Sequence, residues 1–517
     1  MYAKVQNKLY ISISLVVLLS MILAACGGAA QTQAPTTAVE QPTQAAAPTS
    51  APVEAATPTT EVVSPTAAVT PTQATAPTTE VTPTVAAGPT QPALAAAELK
   101  VMGFQVPPEE KGTPLDKAYQ AFLQSFQTAN PAVKLTSMET PPDADNQMLV
   151  DLAAGTAPDV WQADASTLAR LFPSNYILDM RQCVQVDPSF NMDRFFPTLL
   201  AITKQPDGSI LGAPNDFTPM MIYYNPEVFK KYNVAEPKAG WTWDDLLKTA
   251  QALTTDKNGK HPTDAGFDPK NVVTWGYRVR KYTFEWLYRV WENGGDVISP
   301  DGKTATGYLD SPATLEALQF WKDLALKYNV SPAPSVLDQM TQSVGFPDQM
   351  LLGNVAMYER GHWELVGIYA SKNYNGNNLA VAPEPTKQNG ATVLYASIFV
   401  INSAVAKDPA RMAAACRFVD NATSPMYQDT KAITGIAISA NQESAKKAAA
   451  SAKNPQIENA FLDEVAQGRP PYGSKFPKWP AIETILDGMM EKILAGGDVK
   501  TEAQAAVTEI NRELTQQ

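Results

Sequence analysis

Leu152-Ala153-Ala154-Gly155-Thr156-Ala157-Pro158-Asp159-Val160-Trp161 reads as the last turn of a helix, a glycine stop and the opening of a strand. Glycine ends helices because it enters the left-handed region without steric cost, and Pro158 bars the helix from restarting. Upstream, a helix from about Asp145 feeds this stop. Before it, Leu99 to Phe104 predicts a strand, Leu115 to Thr128 a helix ending at Asn130-Pro131, and Ala132 to Leu135 a second strand. Downstream, the turn Pro206-Asp207-Gly208-Ser209 leads into a strand through Ile210-Leu211-Gly212. Thr242 before Trp243-Asp244-Asp245-Leu246 is a helix cap followed by acids that suit the exposed amides of a first turn. Ser311-Pro312 starts another helix, and Ile482 to Leu494 and Thr501 to Leu514 are two amphipathic helices near the end. Strands alternating with helices predict an α/β fold.

The first hundred residues are different material. Lys4 and Lys8 precede an apolar run from Leu9 to Leu23, too short to favour a membrane span over a signal core. It ends Leu23-Ala24-Ala25-Cys26, which resembles the lipobox of bacterial lipoproteins. The resemblance implies a signal peptide over residues 1–25 and a lipid anchor on Cys26. Residues 27 to 97 contain no Lys, Arg, Phe, Trp or Tyr, and Pro recurs beside Thr from Pro35 to Pro92. Such a stretch cannot bury enough apolar surface to offset ordering entropy. It reads as a stalk, at most about 200 Å long if fully extended.

Residues 98–517 have globular composition and a length that suits two lobes. The net charge of −12 is spread along the chain with no basic stripe, which argues against a nucleic-acid partner. With two His in the chain and no Cys-x-x-Cys, no metal site is expected. Cys416 lies in Ala413-Ala414-Ala415-Cys416-Arg417-Phe418, a packed helix face, so Cys183 and Cys416 are expected as two buried thiols rather than a disulfide.

Several segments, in order, resemble the extracellular solute-binding proteins of sugar import systems, the maltose-binding-like group. They are Phe126…Asn130-Pro131…Val133-Lys134, Leu152 to Val160, Gly208 to Pro214, Met221-Ile222-Tyr223-Tyr224-Asn225 and Phe229 to Leu246. Gly294-Gly295, Leu352 to Met357 and Gly361-His362-Trp363 continue the series. Gly435-Ile436-Ala437 departs from it, since many relatives carry Pro there. The resemblance implies a type II periplasmic-binding fold: two lobes, a hinge and a ligand cleft between them. Carried over, one lobe comprises 98–216 and about 383–430, the other about 217–382 and 431–517. The chain crosses near Phe217 to Met220 and near Asn378 to Ala382. It further implies a monomer with no cofactor, outside the cytoplasm, passing a carbohydrate to the permease of an ABC importer.

Sugars present hydroxyl rings and a weakly apolar face, so their sites combine flat aromatic platforms with carboxylates. All nine Trp follow residue 160. Trp161 and Asp164 follow the third strand, where open α/β sheets place ligands. Asp216 and Phe217 adjoin the first crossing. Trp363 matches the family position that stacks on sugar, with Glu359 and His362 near it. Phe284, Trp286 and Trp479 are further aromatic candidates, and Arg469 and Tyr472 share a loop with Trp479. Asp256-Lys257-Asn258-Gly259 reads as a plain turn rather than a calcium loop. Competing readings are a peptide receptor of the same fold, a secreted glycoside-acting enzyme using paired carboxylates, and a wall-attached adhesin or sensor. No Gly-x-Ser-x-Gly, His-Glu-x-x-His or phosphate loop supports catalysis.

Overall fold

The computed structural model describes residues 91–141, 143–171, 175–205 and 207–516. The signal segment, Cys26 and nearly all of the stalk therefore lie outside the described residues. The first elements follow the expected order: β1 (Ala97–Met102), α1 (Pro114–Ala129), β2 (Val133–Met138), α2 (Ala144–Ala154) and β3 (Val160–Asp164). Thr113 accepts from the Asp116 amide and caps α1, and Gly155 at φ 73° closes α2 as the glycine stop required. α3 (Met180–Val186) then leads to β4 (Ala213–Pro219) and β5 (Met221–Tyr224). The strand expected at Ile210 to Gly212 is a lone bridge from Ile210 to Lys204, and extended pairing begins at Ala213.

α4 (Trp243–Leu253) carries a complete capping box between Thr242 and Asp245. α5 (Thr283–Glu292), α6 (Pro312–Leu326), β6 (Met357–Arg360), β7 (Ala380–Ala382) and β8 (Thr392–Ile401) follow. The last elements used below are α7 (Pro409–Thr423), β9 (Ile438–Ser439), α8 (Pro455–Glu464), β10 (Gly468–Arg469), α9 (Trp479–Leu494) and α10 (Val499–Thr515).

The strands form two main sheets, beside a short ladder that pairs Thr255–Asp256 with Val272–Thr274. The larger runs β9-β4-β8-β3-β1-β2, with β10 beside the start of β8; the smaller runs β6-β5-β7. β1, β2 and β3 are parallel, whereas β8 is antiparallel to both β3 and β4. One core packs around the larger sheet through Leu99, Phe104, Phe126, Phe399 and Phe418. A second gathers Trp243, Trp286, Trp321, Leu486 and Ile510.

The crossings differ from the expected boundaries. Phe217 lies within β4, paired with Ala396 and Ile438, so the chain leaves the large sheet only after Pro219. Asn378 to Ala382 belongs to the small sheet's side, and the return runs through 383–391. Residues 438–439, expected in the second lobe, pair with β4 in the large sheet. The reason is register: Leu394 sits beside Pro219 and Thr392 beside Gly468, so three crossing strands run side by side. The Thr392 hydroxyl stitches two of them, accepting from the Met220 amide at 3.0 Å and donating to its carbonyl at 3.0 Å.

Cys183 on α3 and Cys416 on α7 form a disulfide, with Cα atoms 5.2 Å apart. The expectation of two free thiols is corrected: both are buried as predicted, but packing of α3 against α7 sets them face to face. Asp256 behaves as a plain turn residue, its carboxylate accepting from the amides of Asn258, Lys260 and Asp268.

Candidate functional site

A cavity of about 600 Å³ opens between the two sheets' lobes. Its floor holds Asp164 of β3, Ser397 of β8 and Asp216 of β4, in register across three strands of the large sheet, and the row continues beyond the cavity to the buried Ser439 of β9. A bulge between Ser397 and Ile398 lets both aspartates register against the same serine. Ser397 accepts from the Asn215 side chain at 2.9 Å, and the same amide donates to Gln162 Oε1 at 2.9 Å. Polar groups brought from residues 162, 215 and 397 thus form one network beneath the cavity.

Asp164 opens onto the cavity while accepting from the Ser166 amide at 2.7 Å and hydroxyl at 2.8 Å. Close packing of protein atoms raises its carboxyl above the usual range; the Ser166 bonds oppose the rise and the Asp216 charge adds to it. Asp216 pairs with Lys431, whose ammonium is pulled below its ordinary range by burial, against the attraction of that partner.

The roof comes from the other lobe. Phe284 and Leu287, three apart on α5, present one helix face. Trp363 follows β6 and is 37 % exposed, with its ring edge-on to Tyr395 at 6.2 Å. Gly361 makes that pose attainable, because a Cβ there would stand 2.2 Å from the indole. Trp479 opens α9, stacked on Tyr472 at 4.5 Å between ring centres, and Tyr472 in turn accepts from Trp291 at 2.8 Å. Glu483, one turn beyond Trp479 on α9, completes the wall. Burial pushes its carboxyl up to about 7, with the charges of Asp487 and Asp164 adding.

At one end the lobes nearly touch. A Cβ on Gly473 would stand 1.6 Å from the Ser166 carbonyl oxygen, so only glycine permits this approach.

Of the residues expected at the site, Asp164, Asp216, Phe284, Trp363 and Trp479 line the cavity together. Five others do not. Side chains alternate across a strand, so with Asp164 facing the cavity Trp161 faces away, into a small core with Met148, Leu152 and Leu168. The same alternation separates Asp216 from Phe217, which packs edge-on against Phe196 at 5.2 Å. Trp286 lies on the opposite side of α5 from Phe284 and Leu287, its indole donating to the Lys281 carbonyl at 3.0 Å. Glu359 is fully buried and ion-paired with Arg289 at 2.8 Å. His362 turns away from the cavity: its Nε2 meets Glu458 at 2.7 Å, and its amide donates to the Thr218 hydroxyl at 2.6 Å. Tyr395, Ser397, Lys431 and Glu483 were not anticipated. A signal existed for two of them: Tyr395 and Ser397, two apart in the otherwise apolar Thr392–Ile401, mark one polar face of that strand.

The profile of the bacterial extracellular solute-binding proteins matches residues 117–459. The chain belongs to that family. Its members are extracellular solute-binding proteins. A binding protein of Brucella abortus (strain 2308) is 26 % identical over 212 residues, 40 % of this chain and 46 % of the relative. The chain thus spans about half the length of that curated relative. The sn-glycerol-3-phosphate-binding periplasmic protein UgpB of Agrobacterium fabrum is 23 % identical over 339 residues, 62 % of this chain and 70 % of that one.

Among solved structures, the ABC substrate-binding protein Lmo0181 from Listeria monocytogenes, in complex with cycloalternan, superposes with a TM-score of 0.65 at 21 % identity. The match covers 81 % of this chain and 98 % of that one. The sugar-binding protein MalE from Xanthomonas citri gives a TM-score of 0.65 at 16 % identity, covering 81 % and 97 %. The two-lobe fold of these solute-binding proteins is therefore the fold of this chain. Among its described residues, no group of His, Cys, Asp and Glu could hold a metal ion.

Proposed function

We propose that this solute-binding protein captures a carbohydrate between its lobes and presents it to the permease of an ABC importer. It does so without turning the ligand over, tethered to the membrane by a lipid on Cys26. The observation that carries the reading is the interlobe cavity itself. Trp363, Trp479, Phe284 and Tyr395 provide aromatic surface, while Asp164, Ser397 and Asp216 provide a row of hydroxyl partners. Its volume of about 600 Å³ suits a small ligand that would be largely engulfed. The Listeria protein of the same fold was solved in complex with cycloalternan, which is in keeping with this reading. Asp164 and Asp216 belong to one lobe and Trp363 and Trp479 to the other, so a ligand gains the full set of contacts only when the cleft shuts. Binding then shifts the population toward the closed form, and a permease that prefers that form reads occupancy.

The test is a thermal-shift screen of the purified chain against neutral and charged sugars, peptides and amines, since a ligand bound only by the folded state raises the melting temperature. Sugars are expected to raise it and peptides to leave it unchanged. On any sugar hit, Trp363→Ala is expected to weaken binding at least about tenfold, or about 1.4 kcal/mol, while the unliganded melt stays put. Unchanged affinity would remove Trp363 from the site. Stabilisation by peptides alone would overturn the carbohydrate reading.

A further inference from the structure

The charges lining the cavity do not balance, and this names the kind of sugar the site takes; the inference rests on the carbohydrate reading above. Three carboxylates line it, from Asp164, Asp216 and Glu483, against the single ammonium of Lys431. That ammonium is already paired with Asp216. Among the described residues, Asp164 receives only the Ser166 amide and hydroxyl. Glu483 has neither an ion pair nor a hydrogen bond among the described residues. Nearby bases are committed elsewhere: Arg280 and Arg360 to Glu285 at 3.0 and 2.6 Å, and Lys281 to Glu491 at 2.5 Å. Asp487, next along α9, accepts from the Thr283 amide and hydroxyl at 2.7 and 2.6 Å and adds a further negative charge.

Closing the lobes over a neutral ligand would strip water from two carboxyls without ion-pair partners, one on each lobe, which must then either stay charged at a cost or take up a proton. An anionic ligand would fare worse. A cation between them removes that cost, and an aromatic lining of Trp479, Tyr395 and Phe284 suits an ammonium better than an anion. We propose that the ligand carries a protonated amine, an amino sugar or an aminated oligosaccharide, whose ammonium sits between Asp164 and Glu483 in the closed cleft. Both carboxyls titrate above their ordinary range in the open site, which is the state a bound cation would relieve.

The test is calorimetric titration of the full chain at pH 6.5 with the glucosamine disaccharide, its N,N′-diacetyl counterpart, maltose and spermidine. The first two differ in charge and keep the same sugar frame. The expected result is at least tenfold tighter binding of the amine disaccharide, a preference that Glu483→Gln reduces to under threefold and Glu483→Lys abolishes. Thermal melts of both variants check that the fold survives; among the described residues Glu483 has no partner whose loss would unfold it. Equal affinities, tighter binding of the acetylated form, or a preference untouched in Glu483→Gln would overturn the ammonium site. So would an absence of binding by every amine. Neutral sugars binding without charge preference would sink this inference and leave the carbohydrate reading standing. Spermidine binding tightly while every sugar is silent would overturn the carbohydrate reading and the amino-sugar assignment together.

Discussion

Replacing Arg289 with methionine is expected to destabilise the protein by about 3–5 kcal/mol, read as a lower urea midpoint with an unchanged slope. Arg289 sits on α5 with its guanidinium fully buried. Nη1 donates to both carboxylate oxygens of Glu292, at 2.7 and 2.9 Å, and Nη2 donates to Glu359 at 2.8 Å and Glu384 at 2.6 Å. Glu359 belongs to β6 and Glu384 to the 383–391 crossing, so one cation ties a helix, a sheet and the hinge together. Methionine fills much of the volume but leaves three carboxylates buried without compensation. Adding Glu359→Gln and Glu384→Gln to Arg289→Met is expected to restore part of the loss, because only the Glu292 carboxylate then remains without its partner. A cost of under about 1 kcal/mol for Arg289→Met would mean that water reaches the cluster.

The same cluster sets a pH dependence. Burial pushes Glu292 up to about 8 against the attraction of Arg289, and pushes Glu464 up to about 8 with the charges of Glu384 and Glu292 adding. Glu359 and Glu384 are raised as well, chiefly by burial. A raised carboxylate keeps its proton in the folded state at pH values where the unfolded chain has released it. Stability is therefore fullest below the ordinary carboxylate range and falls as pH climbs toward about 8, by at most about 1.4 kcal/mol per pH unit for each group. Melting temperature is expected to drop between pH 5.5 and 8.5, and to drop more steeply in Arg289→Met, where acid becomes a rescue. A flat profile would remove these carboxyls from the stability balance.

How much of this was legible in the sequence divides along a physical line. Local signals held: Gly155 stops a helix, Thr242 with Asp245 caps one, and Ser311-Pro312 starts one, because each acts within a turn of backbone. Cavity-lining side chains were harder. Asp164 and Trp161 were expected together, yet the three-residue spacing on a strand places them on opposite faces, and the same parity separates Asp216 from Phe217. That error was avoidable from period-2 alternation once the strand was assigned. Glu483 was readable in part, one turn beyond Trp479 on the same helix. Lys431 was not, because its place on a helix beside Asp216 is set across 215 residues of chain, and Ser397, though legible as a polar-face residue of its strand, gave no sign of its pairing with Asp216 across 181 residues. Buried Glu359 and His362 looked like site residues because polar groups in a Trp-containing loop suit a binding site. Their partners, Arg289 and Glu458, lie 70 and 96 residues away, and no spacing rule points to them.

The disulfide between Cys183 and Cys416 supplies the second large effect. The chain-entropy account makes a cross-link more stabilising as the closed loop lengthens, and here the cysteines lie 233 residues apart. The loop contains β5, β6 and β7, so the whole small sheet is an insertion between two cysteines that both belong to the core of the large one. Opening the bond frees the large-sheet lobe to unfold with the other lobe hanging from it as a long, floppy excursion. Cys183→Ala with Cys416→Ala, which avoids burying new hydroxyls, is expected to cost about 3–5 kcal/mol in denaturant unfolding. Reductant is expected to lower the midpoint of the natural chain toward that of the double variant and leave the variant unmoved. Neither sulfur touches the cavity, so ligand affinity of the folded variant is expected to stay within about twofold, less than 0.5 kcal/mol. Such a bond persists in an oxidising compartment, which suits a member of an extracellular family. If reductant leaves the natural chain's midpoint unchanged, the thiols are unpaired in solution and the two helices are held by packing alone.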